Sequence, residues 1–298
     1  YGGNEDLDAV EFLRQCTHEV TSTFAGATMI AEESTAWPGV SAPVEHGGLG
    51  FNFKWDMGWM HDTLEYLQRD PVHRKFHQHD LTFRAVYAAD ERFVLPLSHD
   101  EVVHGKGSLL AKMAGDDWQR RANLRVLYGY QFTIPGKKLL FMGDEFAQSS
   151  EWSHEASLDW HLLEYADHRG VASWVQRLNA LYREHEALFR DDLDHGRFAW
   201  VHFDDSEQSV LIWRRGRDDD ELMVVANFTP VPRDNYEFRV SSATDWSVLA
   251  NSDDPEFGGS GYLGQSVVTS HALAGHEDAY ALRMSLPPLS IVVLGRLG

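Results

Sequence analysis

Phe93-Val94-Leu95-Pro96-Leu97-Ser98-His99-Asp100-Glu101 is the stretch on which the reading of this chain turns. Its short apolar run reads as a β-strand. The run stops at a polar loop that carries an imidazole and a pair of carboxylates. In a βα barrel, functional side chains sit in the loops that leave the C-terminal ends of the strands. Working outward, three further short apolar runs have the same form. Residues 27–31 lead into Glu32-Glu33-Ser34-Thr35, residues 50–55 lead into a helix-like segment, and residues 138–142 lead into Gly143-Asp144-Glu145. Helical periodicity follows at residues 117–131 and 173–185. Four strand–helix units make half of an eight-unit barrel, and half a barrel leaves open sheet edges.

From residue 192 the texture changes. Residues 198–203, 209–214, 222–228, 236–240, 246–249, 280–285 and 290–294 are short β-prone runs between turns rich in Asp, Gly and Pro. The expected architecture is therefore α/β plus all-β. Residues 1–191 form the C-terminal half of a (β/α)8 TIM-type barrel, and residues 192–298 form an antiparallel β-sandwich. The rest of the barrel is expected to precede Tyr1, because the chain opens Tyr1-Gly2-Gly3 without an initiator Met.

Composition narrows the function. The 298 residues are 43% hydrophobic, enough for real cores, and 46 acidic against 26 basic residues leave a formal charge of -20. That charge opposes nucleic acid and anionic lipid and suits a neutral substrate. No apolar run is long enough to span a membrane, and a single cysteine, Cys16, points to a reducing, cytoplasmic setting. Ten Trp, ten Tyr and sixteen Phe could stack on sugar rings or simply fill cores. Carboxylates at several strand ends, converging on one mouth, are costly to bury and fit glycoside chemistry. There one acid protonates the leaving oxygen and another attacks or stabilises the oxocarbenium-like centre. The alternative is that such acids are caps and solvated loop charges.

The literal motifs go further than the spacing. Met29-Ile30-Ala31-Glu32-Glu33-Ser34-Thr35 and Leu95-Pro96-Leu97-Ser98-His99-Asp100-Glu101-Val102-Val103-His104-Gly105-Lys106 resemble acid-bearing segments of bacterial-type glycogen (1,4-α-glucan) branching enzymes, in the α-amylase superfamily. Met57-Gly58-Trp59-Met60-His61-Asp62-Thr63-Leu64, Pro135-Gly136-Lys137-Lys138-Leu139-Leu140-Phe141-Met142-Gly143-Asp144-Glu145-Phe146, Ser157-Leu158-Asp159-Trp160 and Asn227-Phe228-Thr229-Pro230-Val231-Pro232-Arg233 continue the resemblance through the chain.

The resemblance implies that Glu32 is the general acid/base, Asp100 the transition-state stabiliser and His99 a hydrogen-bonding partner of sugar hydroxyls. Glu33 is expected to shape the acceptor side, and Trp59 either lines a glucan groove or fills space behind it. The implied reaction cleaves an α-1,4 glucan and transfers the chain to a 6-hydroxyl, with α-glucan as donor and acceptor and no cofactor or metal. The family's nucleophile lies in an Asp-x-Arg-x-Asp-Ala motif. Asp6-Leu7-Asp8-Ala9-Val10 lacks the Arg and reads as a helix start, so this chain has no assigned nucleophile and is expected to need the upstream half of the same protein. A hydrolase, or a non-catalytic glucan-binding chain, is the alternative.

Other clusters read as structural. His73 and His77 have helical metal-pair spacing, but Arg74 and Lys75 lie between them. Asp218-Asp219-Asp220-Glu221 reads as a solvated hairpin turn. Lys106 is expected to order the Asp100 loop by ion pairing. Of the possible sandwich platforms Trp200, Trp213, Tyr236 and Trp246, most are expected in the core.

Overall fold

The computed structural model describes residues 5–273 and 279–297. The chain opens with α1 (Leu7–Thr23), capped by Asp6, whose carboxylate accepts from the Asp8 and Ala9 amides. The first sheet holds four strands in consecutive order, β1 (Ile30–Ala31), β2 (Phe53–Trp55), β3 (Phe93–Leu97) and β4 (Lys137–Leu140), and every pairing is parallel. Between and after the strands run α2 (Met57–Gln68), α3 (His79–Thr82), α4 (Leu109–Lys112), α5 (Asp117–Thr133) and α6 (Ala166–Glu184). Asp56 caps α2 through the Trp59 amide, and Asp116 with Gln119 forms a capping box on α5. The strand core of 93–97 coincides with its sequence run. The other three are shorter than, or shifted from, theirs.

Alternation along these strands fixes which residues meet the helices. Leu95 and Leu97 lie in one core with Trp59, Leu64, Leu127 and Tyr128, so odd-numbered residues of β3 face α2 and α5. Phe93 pairs with Lys54, and Lys54 with Ala31, so these share the helix-covered face. Ile30 and Glu32 fall on the opposite face and are exposed.

The second region forms two antiparallel sheets. One has six strands: β5 (Phe198–His202), β6 (Val210–Arg215), β7 (Leu222–Asn227), β9 (Asp245–Asn251), β10 (Val267–Thr269) and β13 (Ser290–Arg296). The other has three: β8 (Arg233–Val240), β11 (His271–Ala272) and β12 (Tyr280–Leu286). Val210, Ile212, Met223, Val225, Val292 and Leu294 point toward Tyr236, Phe238, Leu282 and Met284 of the smaller sheet. The alternate residues Leu211, Trp213, Leu222, Val224, Ile291 and Val293 join the core of α5 and α6. The central strands are thus apolar throughout because both faces are buried, one against a sheet and one against helices.

That second packing is close. A Cβ on Gly129 of α5 would lie 2.2 Å from Ile291 Cγ2, so only glycine lets the helix reach β13. On α6, Trp174, Leu178 and Leu181 are fully buried in the shared core, as the amphipathic pattern predicts. Buried arginines stitch the seam through backbone carbonyls. Arg74 donates to Phe228 O (2.8 Å), Arg125 to Ser252 O (2.8 Å) and Arg215 to Thr133 O (3.3 Å) and Ala187 O (3.1 Å). Desolvation pulls the Arg74 and Arg125 guanidinium pKa values down to about 10, so both stay charged near neutrality.

Candidate active site

The parallel pairing sends all four C-terminal strand ends to one edge of the first sheet. Glu32 leaves β1 there, Asp56 leaves β2, and Ser98-His99-Asp100 leaves β3. The sheet's alternation splits the Glu32-Glu33 pair. Glu32 is exposed on the face away from the helices. Glu33 turns to the other side, where it forms an ion pair with the buried Lys54. Glu33 Oε2 also accepts from the Thr35 hydroxyl (2.6 Å) and amide (3.0 Å), and Lys54 Nζ donates to Thr35 O (2.8 Å). Burial alone would raise the Glu33 carboxyl, but the bonds from Lys54 and Thr35 outweigh it and hold the pKa below its ordinary value. Glu33 is therefore an anchor first.

At the end of β3, Ser98 Oγ accepts from the Asp100 amide at 3.2 Å and sets a tight 3-10 turn over His99–Glu101. His99 Nε2 sits 3.1 Å from Asp100 Oδ1, and both side chains remain partly exposed. The His99 ring leans on Phe141, which stands edge-on to Trp152 at 5.3 Å. The rest of the loop is held from the far side of β4. Glu151 accepts from the amides of Gly105 (3.0 Å) and Gly107 (2.8 Å), and the Trp152 amide donates to Val102 O (2.9 Å). Those two amide bonds hold the Glu151 carboxyl below its ordinary pKa. Lys106, expected to order this loop by an ion pair, makes none among the described residues. Its carbonyl instead accepts from Lys112 Nζ. Glu151 performs that role, and its distance in sequence hid it.

Two further expectations change. Trp59 is 2% exposed and packs between the sheet and the helices, so it is a core residue and does not line a groove. Its position at the start of α2, capped by Asp56, turns the indole inward. Asp144 is also withdrawn from the mouth. It is 5% exposed, its backbone carbonyl accepts from the Tyr128 hydroxyl at 2.7 Å, and Glu145 folds back onto the Gly143 amide. Burial first, and the Glu145 charge second, raise the Asp144 carboxyl well above the usual range. Sequence reasoning missed the hub at Asp56, which accepts from Arg84 Nε (2.7 Å), Tyr87 Oη (3.1 Å) and the Trp59 amide (2.9 Å). An Asp before a helix was the available signal.

Among the described residues no group of His, Cys, Asp and Glu could hold a metal ion, and His77 and His79 are instead stacked beside Asp80. Trp213 and Trp246 are fully buried and Tyr236 nearly so, which removes them as open sugar platforms. No helix among the described residues is long and apolar enough to cross a membrane.

Chemically, the edge presents one free carboxylate from β1 and a His–Asp pair from β3. Two strand spacings separate these strands, about 10 Å between backbones. Side chains of that reach can flank one glycosidic bond.

Comparison with known proteins follows the same lines. Residues 200–296 match the family model for the alpha amylase C-terminal all-beta domain. The chain is 52% identical over 296 residues to the 1,4-alpha-glucan branching enzyme of Rhodospirillum rubrum, covering 99% of this chain and 40% of that protein. It is 53% identical over 294 residues to the enzyme of that name from Mesorhizobium japonicum, covering 98% of this chain and 40% of that one. The Pseudomonas aeruginosa enzyme of that name is 51% identical over 299 residues. The resemblance carried by the motifs thus extends along the whole chain, which spans about two-fifths of the length of these curated relatives. Among solved structures, alpha-amylases from H. orenii (TM-score 0.62, 15% identity, 99% of this chain and 58% of that one) and Geobacillus thermoleovorans (TM-score 0.65, 16% identity, 97% and 57%) share the fold.

Proposed function

We propose that this chain supplies the second half of the active-site barrel of a 1,4-α-glucan branching enzyme. The observation that carries the reading is the shared sheet edge, where a free Glu32 and a loop-fixed His99–Asp100 pair emerge from parallel strands. Identity above 50% to branching enzymes over the whole chain favours transfer over hydrolysis, because the two reactions share an intermediate and differ only in the acceptor.

In the proposed reaction Glu32 gives its proton to the bridging oxygen as the α-1,4 bond breaks. A carboxylate outside these 298 residues bonds to the anomeric carbon, and Glu32 then takes the proton of the acceptor's 6-hydroxyl as that oxygen displaces the carboxylate. Asp100 accepts hydrogen bonds from sugar hydroxyls and favours the distorted ring, and His99 donates to a hydroxyl beside it. The parallel sheet is the second half of a (β/α)8 barrel closed by polypeptide upstream. Residues 1–191 and 192–298 are its two domains, and a reducing cytoplasm suits the single cysteine.

The test uses the whole natural protein with amylose. Loss of iodine stain without new reducing ends supports transfer. New reducing ends in proportion to the lost stain show hydrolysis, and an unchanged stain shows a binding protein.

A further inference from the structure

Lys54 is an unusual residue to find where it is. It lies on β2 between the strands that carry Glu32 and Asp100, on the helix-covered face, and is 6% exposed. A buried ammonium needs partners, and among the described residues those of Lys54 lie in the segment just after Glu32. It pairs with Glu33 and donates to Thr35 O at 2.8 Å. Glu33 in turn holds the Thr35 hydroxyl and amide, and the Trp37 amide donates to Thr35 Oγ1 at 3.1 Å. Residues 33–37 are thereby tied to β2 at several points.

β1 is only Ile30–Ala31, and it pairs with β2 through those two residues alone. Glu32 therefore lies one residue past the last ladder pairing. Nothing in β1 itself fixes the backbone dihedrals of Glu32, and its side chain is exposed. What fixes the turn is the next residue. With Ala31 paired on one side and Glu33 clamped on the other, both on the helix-covered face, period-2 geometry forces Glu32 to the opposite face.

We infer that Lys54 is the positioning residue of the general acid: by clamping Glu33 and Thr35 it aims the Glu32 carboxyl at the leaving oxygen. This rests on the proposed function of Glu32. Lys54 need not touch substrate, and its effect should fall on the step that needs a proton delivered, because misplacement of a catalytic group by about 1 Å costs about 10²-fold.

The experiment compares two donors on the whole natural protein. Amylose needs its leaving oxygen protonated; α-maltosyl fluoride does not, since fluoride departs as the anion. The Lys54→Met variant is expected to lose about 100-fold in kcat on amylose, with KM changed less than twofold and the initial burst of fluoride release within threefold of wild type. Glu33→Gln, which keeps the shape of the clamp and removes its charge, should show the same split with a smaller loss, and it decides the matter if Lys54→Met does not fold. Equal losses on both donors, or an amylose kcat within twofold of wild type, would overturn the inference. Wild-type protein inert toward both donors would instead overturn the proposed function.

Discussion

Gly129→Ala tests how closely α5 and β13 are packed. The added Cβ would lie 2.2 Å from Ile291 Cγ2 and 3.3 Å from Trp174 Cζ2, and a real Cβ contact needs about 3.5–4.0 Å. Neither neighbour can swing away, because Ile291 and Trp174 are both fully buried in the shared core. The strand or the helix must move by more than an ångström, and overpacking of this kind costs about 1–3 kcal/mol. Against it stands the helix preference of Ala over Gly, about 1 kcal/mol. The net expectation is a loss of about 0–2 kcal/mol, read as a lower urea midpoint with unchanged slope. The informative arm is the Ile291→Ala background. That substitution removes the atom in the way, so adding Gly129→Ala should there raise the midpoint. Stabilisation by Gly129→Ala in the wild-type background would refute the close-approach argument.

Other outcomes follow from the same contacts. Glu32→Gln and Asp100→Asn in the whole protein should each lower turnover by about 10²–10⁴-fold with unchanged melting temperature, and wild-type rates in either would mean the site is elsewhere. Glu151 has its pKa depressed by the Gly105 and Gly107 amides, so its clasp is complete above the ordinary carboxylate pKa of about 4.5 and is lost as pH falls through the lower folded value. Proteolysis of the 98–108 loop should accordingly rise with acid in the wild type and be high and pH-independent in Glu151→Gln. Asp192 is raised by burial but lowered further by Arg215, Lys138 and Lys137, and it accepts from Lys137 at 2.9 Å. Asp192→Asn should cost roughly 3 kcal/mol at pH 7 by leaving the buried Arg215 without this carboxylate partner, and the difference from wild type should shrink below pH 4. A constant difference across pH would refute that account.

Much of this was legible in the residues. The run 93–97 reads as a strand because nothing polar interrupts it, and in the structure it is buried throughout. Apolar content extends the first run to 27–31, but Ala27 and Met29 do not by themselves supply a pairing partner, and in the ladder with β2 Ile30 and Ala31 alone are paired. β10 and β11 were missed, being two or three residues long and largely exposed. Trp59 was ambiguous for a physical reason: an indole serves a groove or a core equally well until the cap at Asp56 sets the face of α2. The seam arginines had no signal at all. They are satisfied mainly by carbonyl oxygens, which every residue carries, so no acidic partner in the sequence announces them. The division of labour between Glu32 and Glu33 was readable in principle, since adjacent residues leaving a strand must part company across the sheet.

The large sheet lies between helices on one side and a small sheet on the other, and this bears on where the molecule can be cut. The chain changes character near residue 192, yet Trp213, Val224 and Ile291 from beyond that point share one core with Leu127, Trp174 and Leu178 from before it. A boundary of texture is therefore not a boundary of cooperativity. Separating the pieces there would leave each with a raw apolar face, one of helices and one of strands, and both fragments should precipitate or seek each other. Grafting the β-rich portion onto another barrel would succeed only if the recipient offered a helix as bare as α5 is at Gly129.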